Sequence, residues 1–120
     1  MSGAQSYLAI GLGGAIGTGL RVGLSLLALR HLPDSAYLAT LAANCLGAAL
    51  IGYLSTCALS AEQRALWMTG FCGGFTTFSL FSLEIVTLLD RAVPEALVYG
   101  TASLVLWMLA VWMGARLGRV

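Results

Sequence analysis

An all-α membrane protein with four transmembrane helices is the fold class this sequence predicts, and three observations predict it. Of 120 residues, 59% are hydrophobic and only 9% are charged, with a mean hydropathy of +0.91. A soluble domain of this length has too small an interior to hide that much apolar surface. Apolar runs cover residues 7–29, 37–59, 65–89 and 96–113, each close to the roughly 20 residues needed to cross a bilayer. The gaps between them carry helix stop and start signals and are short. Four spans use about 80 residues, which leaves one four-span domain over residues 1–120 and no room for a soluble one.

The first run has no basic residue before Arg21, so it reads as a retained span and not as a cleaved signal peptide. Its run Gly11-Leu12-Gly13-Gly14-Ala15-Ile16-Gly17 lacks a preceding strand and lies in an apolar stretch, which excludes a dinucleotide fingerprint. Pro33-Asp34-Ser35 closes the first gap. On the second run, Thr40 and Asn44 stand one turn apart and present polar groups on one face. Ser60-Ala61-Glu62-Gln63 has the spacing of a capping box and opens the third run, and Pro94 suits the first turn of the fourth. Tyr99 and Ser103 put hydroxyls on one face of that last helix. Connections this short make neighbouring helices antiparallel and place both termini on one side.

Glycine occurs 15 times, well above average usage, and recurs as Gly13-x-x-x-Gly17, Gly19-x-x-x-Gly23, Gly70-x-x-x-Gly74 and Gly114-x-x-x-Gly118. This spacing predicts close helix contacts. The net charge is +1 with no lysine, so no nucleic-acid surface is expected. Cys45, Cys57 and Cys72 show neither disulfide nor zinc spacing and read as small hydrophobes. Arg64, Arg116 and Arg119 on one side against Arg30 and Arg91 on the other is a bias of three to two. That is too weak to fix orientation by the positive-inside rule. Either a subtler cue sets one orientation, or both occur and pair.

Arg21, Asn44, Glu84 and the cluster Thr76-Thr77-Phe78-Ser79 lie inside spans, where a charged side chain costs roughly 2.5–3.5 kcal/mol on the insertion scale. Scattered interhelical hydrogen bonds would account for one such residue; several together favour a polar pathway. Gly73-Gly74-Phe75-Thr76-Thr77 sets two poor helix formers and two β-branched residues at mid-span. A break there would free backbone groups at membrane depth, tolerable only against protein, water or an ion, and freed carbonyls can hold a cation. An intact helix with glycines for packing is the alternative. Phe78 and Phe81 share one helical face at i and i+3, beside Ser82. Their positive ring edges could replace some of the water around a small anion.

At these residues the chain resembles the Fluc (CrcB-type) fluoride channels, over essentially its whole length. The most specific stretch is Gly70-Phe71-Cys72-Gly73-Gly74-Phe75-Thr76-Thr77-Phe78-Ser79-Leu80-Phe81-Ser82. The glycine-rich first helix ending in Arg21, and Asn44-x-x-Gly47 on the second, support it. The resemblance implies a dual-topology, antiparallel homodimer in the bacterial inner membrane, with two pores along its interface, that lets cytoplasmic fluoride leave passively and so confers resistance. It implies that Phe78 and Phe81 contact the anion through ring edges, that Asn44 orients or donates to it, and that Ser79, Ser82, Tyr99 and Ser103 flank the path. Arg21 would serve the aqueous vestibule. Backbone carbonyls of Gly73 and Thr76 from both subunits would hold a structural Na+ on the dimer axis, with the break mapping to residues 73–77. Glu84 also matches a family position. Leu80 stands where many relatives have threonine, and Trp107 stands at a hydroxyl position one turn beyond Ser103, which leaves the fine pore chemistry open.

Two rivals belong to other classes. A proton-coupled small multidrug antiporter wants a carboxylate in its first span, which here holds Arg21 and no acid. A non-transporting assembly subunit would leave the intramembrane charge and the broken helix without a purpose. No nucleotide motif is present, so passive conduction and no enzyme activity is expected.

Overall fold

A computed structural model, which describes residues 2–120, is helical throughout apart from short turns and one break. Helix α1 spans Gly3–His31. It starts well before hydropathy rises at Tyr7 because Ser2 and Gln5 form a capping box: the Ser2 Oγ accepts from the Gln5 N–H and the Gln5 Oε1 accepts from the Ser2 N–H. The reciprocal bonds satisfy two donors that a helix start leaves open. The pattern is the one read at Ser60 and was legible at Ser2 as well. A single 3-10 turn, Pro33–Ser35, leads to α2.

Helix α2, Leu38–Leu54, has 17 residues, about 25 Å at 1.5 Å per residue. It stops earlier than its apolar run over residues 37–59. The Ser55 Oγ donates to the Gly52 carbonyl at 2.6 Å and the Thr56 Oγ1 to the Tyr53 carbonyl at 2.7 Å, so hydroxyls take up terminal carbonyls and end the helix.

The third span begins at the expected capping box of Ser60 and Gln63. Its first half, α3, is α-helical over Ala61–Gln63, π-helical over Arg64–Cys72 and α-helical again over Gly73–Phe75. Its second half is α4, Phe78–Leu89. The final helix α5, Val93–Leu117, carries Pro94 in its first turn as expected. α1, the third span and α5 are long and apolar enough to cross a membrane, and α2 is a shorter apolar helix. Large side chains such as Leu8, Leu12, Ile16, Leu26, Leu104 and Met108 face outwards along the bundle, as a lipid-facing surface requires.

Two glycine-lined contacts hold the bundle together. α1 lies against α3: a Cβ added at Gly13 would lie 2.0 Å from the Leu66 carbonyl oxygen, and one at Gly17 would lie 2.3 Å from that of Phe71. From the other side, Gly70 and Gly74 admit the backbones of Ile10 and Gly14. α5 lies against α2 in the same manner at Gly114 and Gly118. A Cβ added at Gly19 or Gly23 would meet nothing within 4 Å among the described residues, so three of the four paired spacings make close contacts and one stays on the open face of α1. A Cβ at Gly114 would sit 2.0 Å from the Ala49 carbonyl oxygen, a backbone atom that no rotamer change can move. We expect Gly114→Ala to abolish the monodisperse peak of the detergent-solubilised protein on size exclusion. Gly3→Ala, with open space around it, should elute like the parent.

Candidate functional site

The break in the third span does not lie at its glycines. Gly73 is helical, with φ −63° and ψ −37°, and Gly74 serves to let α1 approach. The extended residues are Thr76, at φ −89° and ψ 156°, and Thr77, at φ −153° and ψ 121°. β-Branched side chains suit extended backbone better than helix. Thr77 also gains a role by leaving the helix: as N-cap of α4, its Oγ1 accepts from the Leu80 N–H at 3.2 Å, the bond that a capping threonine makes.

Asn44, buried on α2, locks the break. Its Oδ1 accepts from the Thr77 N–H at 2.7 Å and its Nδ2 donates to the Thr77 carbonyl at 3.0 Å. The side-chain amide thereby pairs with both backbone groups of one extended residue, as a neighbouring strand would. One Nδ2 hydrogen is left uncommitted by this pairing.

This arrangement determines what happens to the carbonyls of the interrupted helix. In a continuous helix the Gly73 carbonyl would accept from the Thr77 N–H, and the Thr76 carbonyl from the Leu80 N–H. Both donors are taken, the first by Asn44 and the second by the Thr77 hydroxyl. Among the described residues the Gly73 and Thr76 carbonyls receive no other hydrogen bond. The Gly74 carbonyl is covered instead, by the Thr18 Oγ1 at 3.3 Å and the Arg21 Nε at 3.2 Å. Arg21 therefore brings its positive charge to the carbonyl end of α3, where a cation is favoured.

Beside the break a groove of about 430 Å3 opens on the bundle surface, lined among others by Asn44, Gly47, Gly73, Thr76, Phe78 and Trp107. Phe78 is 68% exposed at its rim, whereas Phe81 is buried. The two rings are 5.7 Å apart, centroid to centroid. Phe81 packs edge-to-face with both Tyr99 and Trp107 of α5, at 5.4 and 4.7 Å, the geometry that aromatic quadrupoles prefer. Ser103, between these two in the α5 stripe, is fully buried, and among the described residues its Oγ has no hydrogen-bond partner; neither has the buried Nε1 of Trp107.

One turn beyond Phe81, Glu84 has a place that its sequence position did not disclose. Its Oε1 accepts from the Thr40 hydroxyl and its Oε2 from the Tyr99 hydroxyl, each at 2.6 Å. Three helices, α2, α4 and α5, meet at this carboxyl group.

Asn44, Phe81, Tyr99 and Ser103 are thus all buried, and of them Phe81 and Tyr99 pack together. Phe78 and Ser79 are exposed, with the Ser79 Oγ 3.3 Å from that of Thr77, and the Ser82 hydroxyl is used on the Phe78 carbonyl of its own helix. Thr40, already read with Asn44 from their one-turn spacing, gains Glu84 as its acceptor. Thr18 is the addition of the structure, since nothing in the sequence paired it with residue 74.

Apolar helices in series, one of them interrupted at mid-span and tied by polar side chains from its neighbours, define a multi-pass membrane protein. The profile of the family described as "CrcB-like protein, Camphor Resistance (CrcB)" matches residues 8–115. The chain belongs to this family. It is 41% identical over 118 residues to the "Fluoride-specific ion channel FluC" of Stutzerimonas stutzeri, covering 93% of this chain and 95% of that one. It is 41% identical over 121 residues to a protein of the same name from Thermus thermophilus, covering 97% and 95%. A Pseudomonas putida protein, again so named, is 42% identical over 117 residues, covering 92% and 94%. These relatives are named as ion channels, not as enzymes.

Proposed function

We propose that this chain is a fluoride channel that works as an antiparallel homodimer in a bacterial inner membrane, letting cytoplasmic fluoride out and so conferring fluoride resistance. The relatives' names supply the ion, and the observation that carries the mechanism is the extended Thr76–Thr77 segment locked by Asn44. Moving a small ion into a medium of low dielectric without replacement ligands costs tens of kcal/mol, so the path must supply donors. Those available are the remaining Nδ2 hydrogen of Asn44, the ring edges of Phe78 and Phe81, and the hydroxyls of Ser79 and Ser103, while the Ser82 hydrogen is committed to the Phe78 carbonyl. The Tyr99 hydrogen is committed to Glu84, which gives Tyr99 the part of a positioning group beside Phe81. Arg21, half-buried at the end of α3, would draw anions towards the vestibule.

The Gly73 and Thr76 carbonyls, left over by the break, fit the ligand chemistry of a hard cation, and those of two copies would hold a structural Na+ between the subunits. When bound, that ion would supply a fixed positive charge clamping the two breaks together. The near-balanced arginines agree with insertion in both orientations. Fluoride that enters acidified cells as neutral HF dissociates inside, and an inside-negative potential drives the anion out with about 2.3 kcal/mol per charge per 100 mV.

Efflux from proteoliposomes loaded with NaF, followed with a fluoride electrode, tests the reading. Rapid loss without a proton gradient or a drug substrate is expected; no loss from a well-folded dimer would sink it. Phe81→Ile, which keeps the apolar bulk and removes the ring edge, should lower that flux at least tenfold. Disulfide crosslinking of a cysteine pair placed to meet only between oppositely oriented copies should trap the dimer, and a parallel pair should not.

A further inference from the structure

We propose that the indole N–H of Trp107 is a ligand for the conducted anion, forming with the Ser103 hydroxyl a two-donor station beside the Phe81 ring. This rests on the channel reading above. Only two buried side-chain polar atoms among the described residues lack a hydrogen-bond partner, and they are the Ser103 Oγ and the Trp107 Nε1. A buried donor without a partner is costly, and two of them one turn apart on the same helical face is not a random scatter. Both can donate, and neither is charged, so together they suit an anion that must be held and then released. Phe81 packs edge-to-face on Trp107, the Ser103 side chain is wholly shut off from solvent, and Trp107 is among the residues lining the groove that also holds Asn44 and Phe78. Trp107 therefore stands beside the groove with Ser103 one turn away on the same helix, and both donors are away from bulk water, where an ion stripped of hydration needs them. The competing account of the same contact is an indole N–H satisfied by the face of Phe81, which would make Trp107 a packing residue.

The full-length protein, labelled with 15N-tryptophan, reports on the N–H directly. It should show an indole cross-peak each for Trp67, Trp107 and Trp112. Trp67→Phe and Trp112→Phe, both at exposed positions, identify two by their loss and leave that of Trp107. On addition of NaF, with NaCl as the control, the Trp107 indole proton should move downfield while the other two stay in place. Trp107→Phe, which keeps the ring and removes the N–H, should conduct fluoride at least tenfold more slowly while eluting as the parent does. A Trp107 peak unmoved by fluoride overturns the inference, whether a ring face or the partner copy satisfies the N–H, and so does a Trp107→Phe protein that conducts like the parent. If that variant fails to fold, the titration of the parent decides alone. A parent that conducts while its Trp107 peak stays still removes only this ligand; a parent that conducts no fluoride removes the channel reading and this inference with it.

Discussion

Asn44→Leu is expected to abolish fluoride efflux and to lower the thermal stability of the detergent-solubilised protein markedly. Asn44 makes two hydrogen bonds to the backbone of Thr77, and leucine, of similar size, makes neither. The N–H and carbonyl of an extended residue at membrane depth would both be orphaned, at about 1–3 kcal/mol each, or roughly 2–6 kcal/mol together. The chain has one cheap way to recover that loss, which is to let the third span wind through as a helix. The Thr77 N–H would then return to the Gly73 carbonyl, withdrawing a group proposed to hold Na+, and Phe78 and Phe81 would rotate out of register with α5. Asn44→Asp separates the two halves of the interaction: it keeps the acceptor for the Thr77 N–H and loses the donor to its carbonyl, so an intermediate stability is expected. Size exclusion after stepwise heating, together with the efflux assay, checks both. Asn44→Leu protein that melts and conducts like the parent would show that the amide does not hold the break.

The combined variant Thr40→Val and Tyr99→Phe should be the least stable of the set. These substitutions preserve shape and remove the two hydroxyls that donate to Glu84, leaving a carboxyl group at the meeting point of three helices with no donor. Hydrogen bonds to charged groups contribute about 1.5–3 kcal/mol each, so the pair is worth roughly 3–6 kcal/mol. A domain of this size has a total stability of about 5–15 kcal/mol, and we expect the double variant to aggregate or to elute as a broad peak. Adding Glu84→Gln, which replaces the carboxyl with an amide that carries its own donors, should restore part of the loss. Rescue assigns the damage to the stranded carboxyl; equal instability of the double and triple variants would assign it to packing around Tyr37 and Tyr99, whose rings also meet, at 4.6 Å.

Much of this molecule was legible along the chain, for a physical reason that differs from element to element. The apolar runs announce spans because lipid tolerates little else, and Ser60 with Gln63 announces a helix start because the two side chains bond locally. The same local logic holds at Ser2, whose capping box lies ahead of the apolar run, and at Ser55 and Thr56, where hydroxyls end α2 inside an apolar run. The break was legible as a region, residues 73–77, from its two glycines and two threonines together. Within that region Gly73 and Gly74 stay helical and the threonines carry the extended backbone. Gly74 is there because α1 passes too close for any side chain, a requirement set by a helix more than fifty positions away.

By itself, then, the sequence determined the membrane-spanning class, the number of apolar segments, their caps, and which polar side chains lie at a depth where they need a reason. Only the tertiary structure decided the partners: Asn44 with the backbone of Thr77, Arg21 with the Gly74 carbonyl, Thr40 and Tyr99 with Glu84, and, among the described residues, no hydrogen-bond partner for the Ser103 Oγ or the Trp107 Nε1. The reason is that burial and helix propensity are properties of a residue and its near neighbours, and can be read in order. A hydrogen bond between residues 33 or 44 positions apart exists only once helix packing has fixed which faces meet.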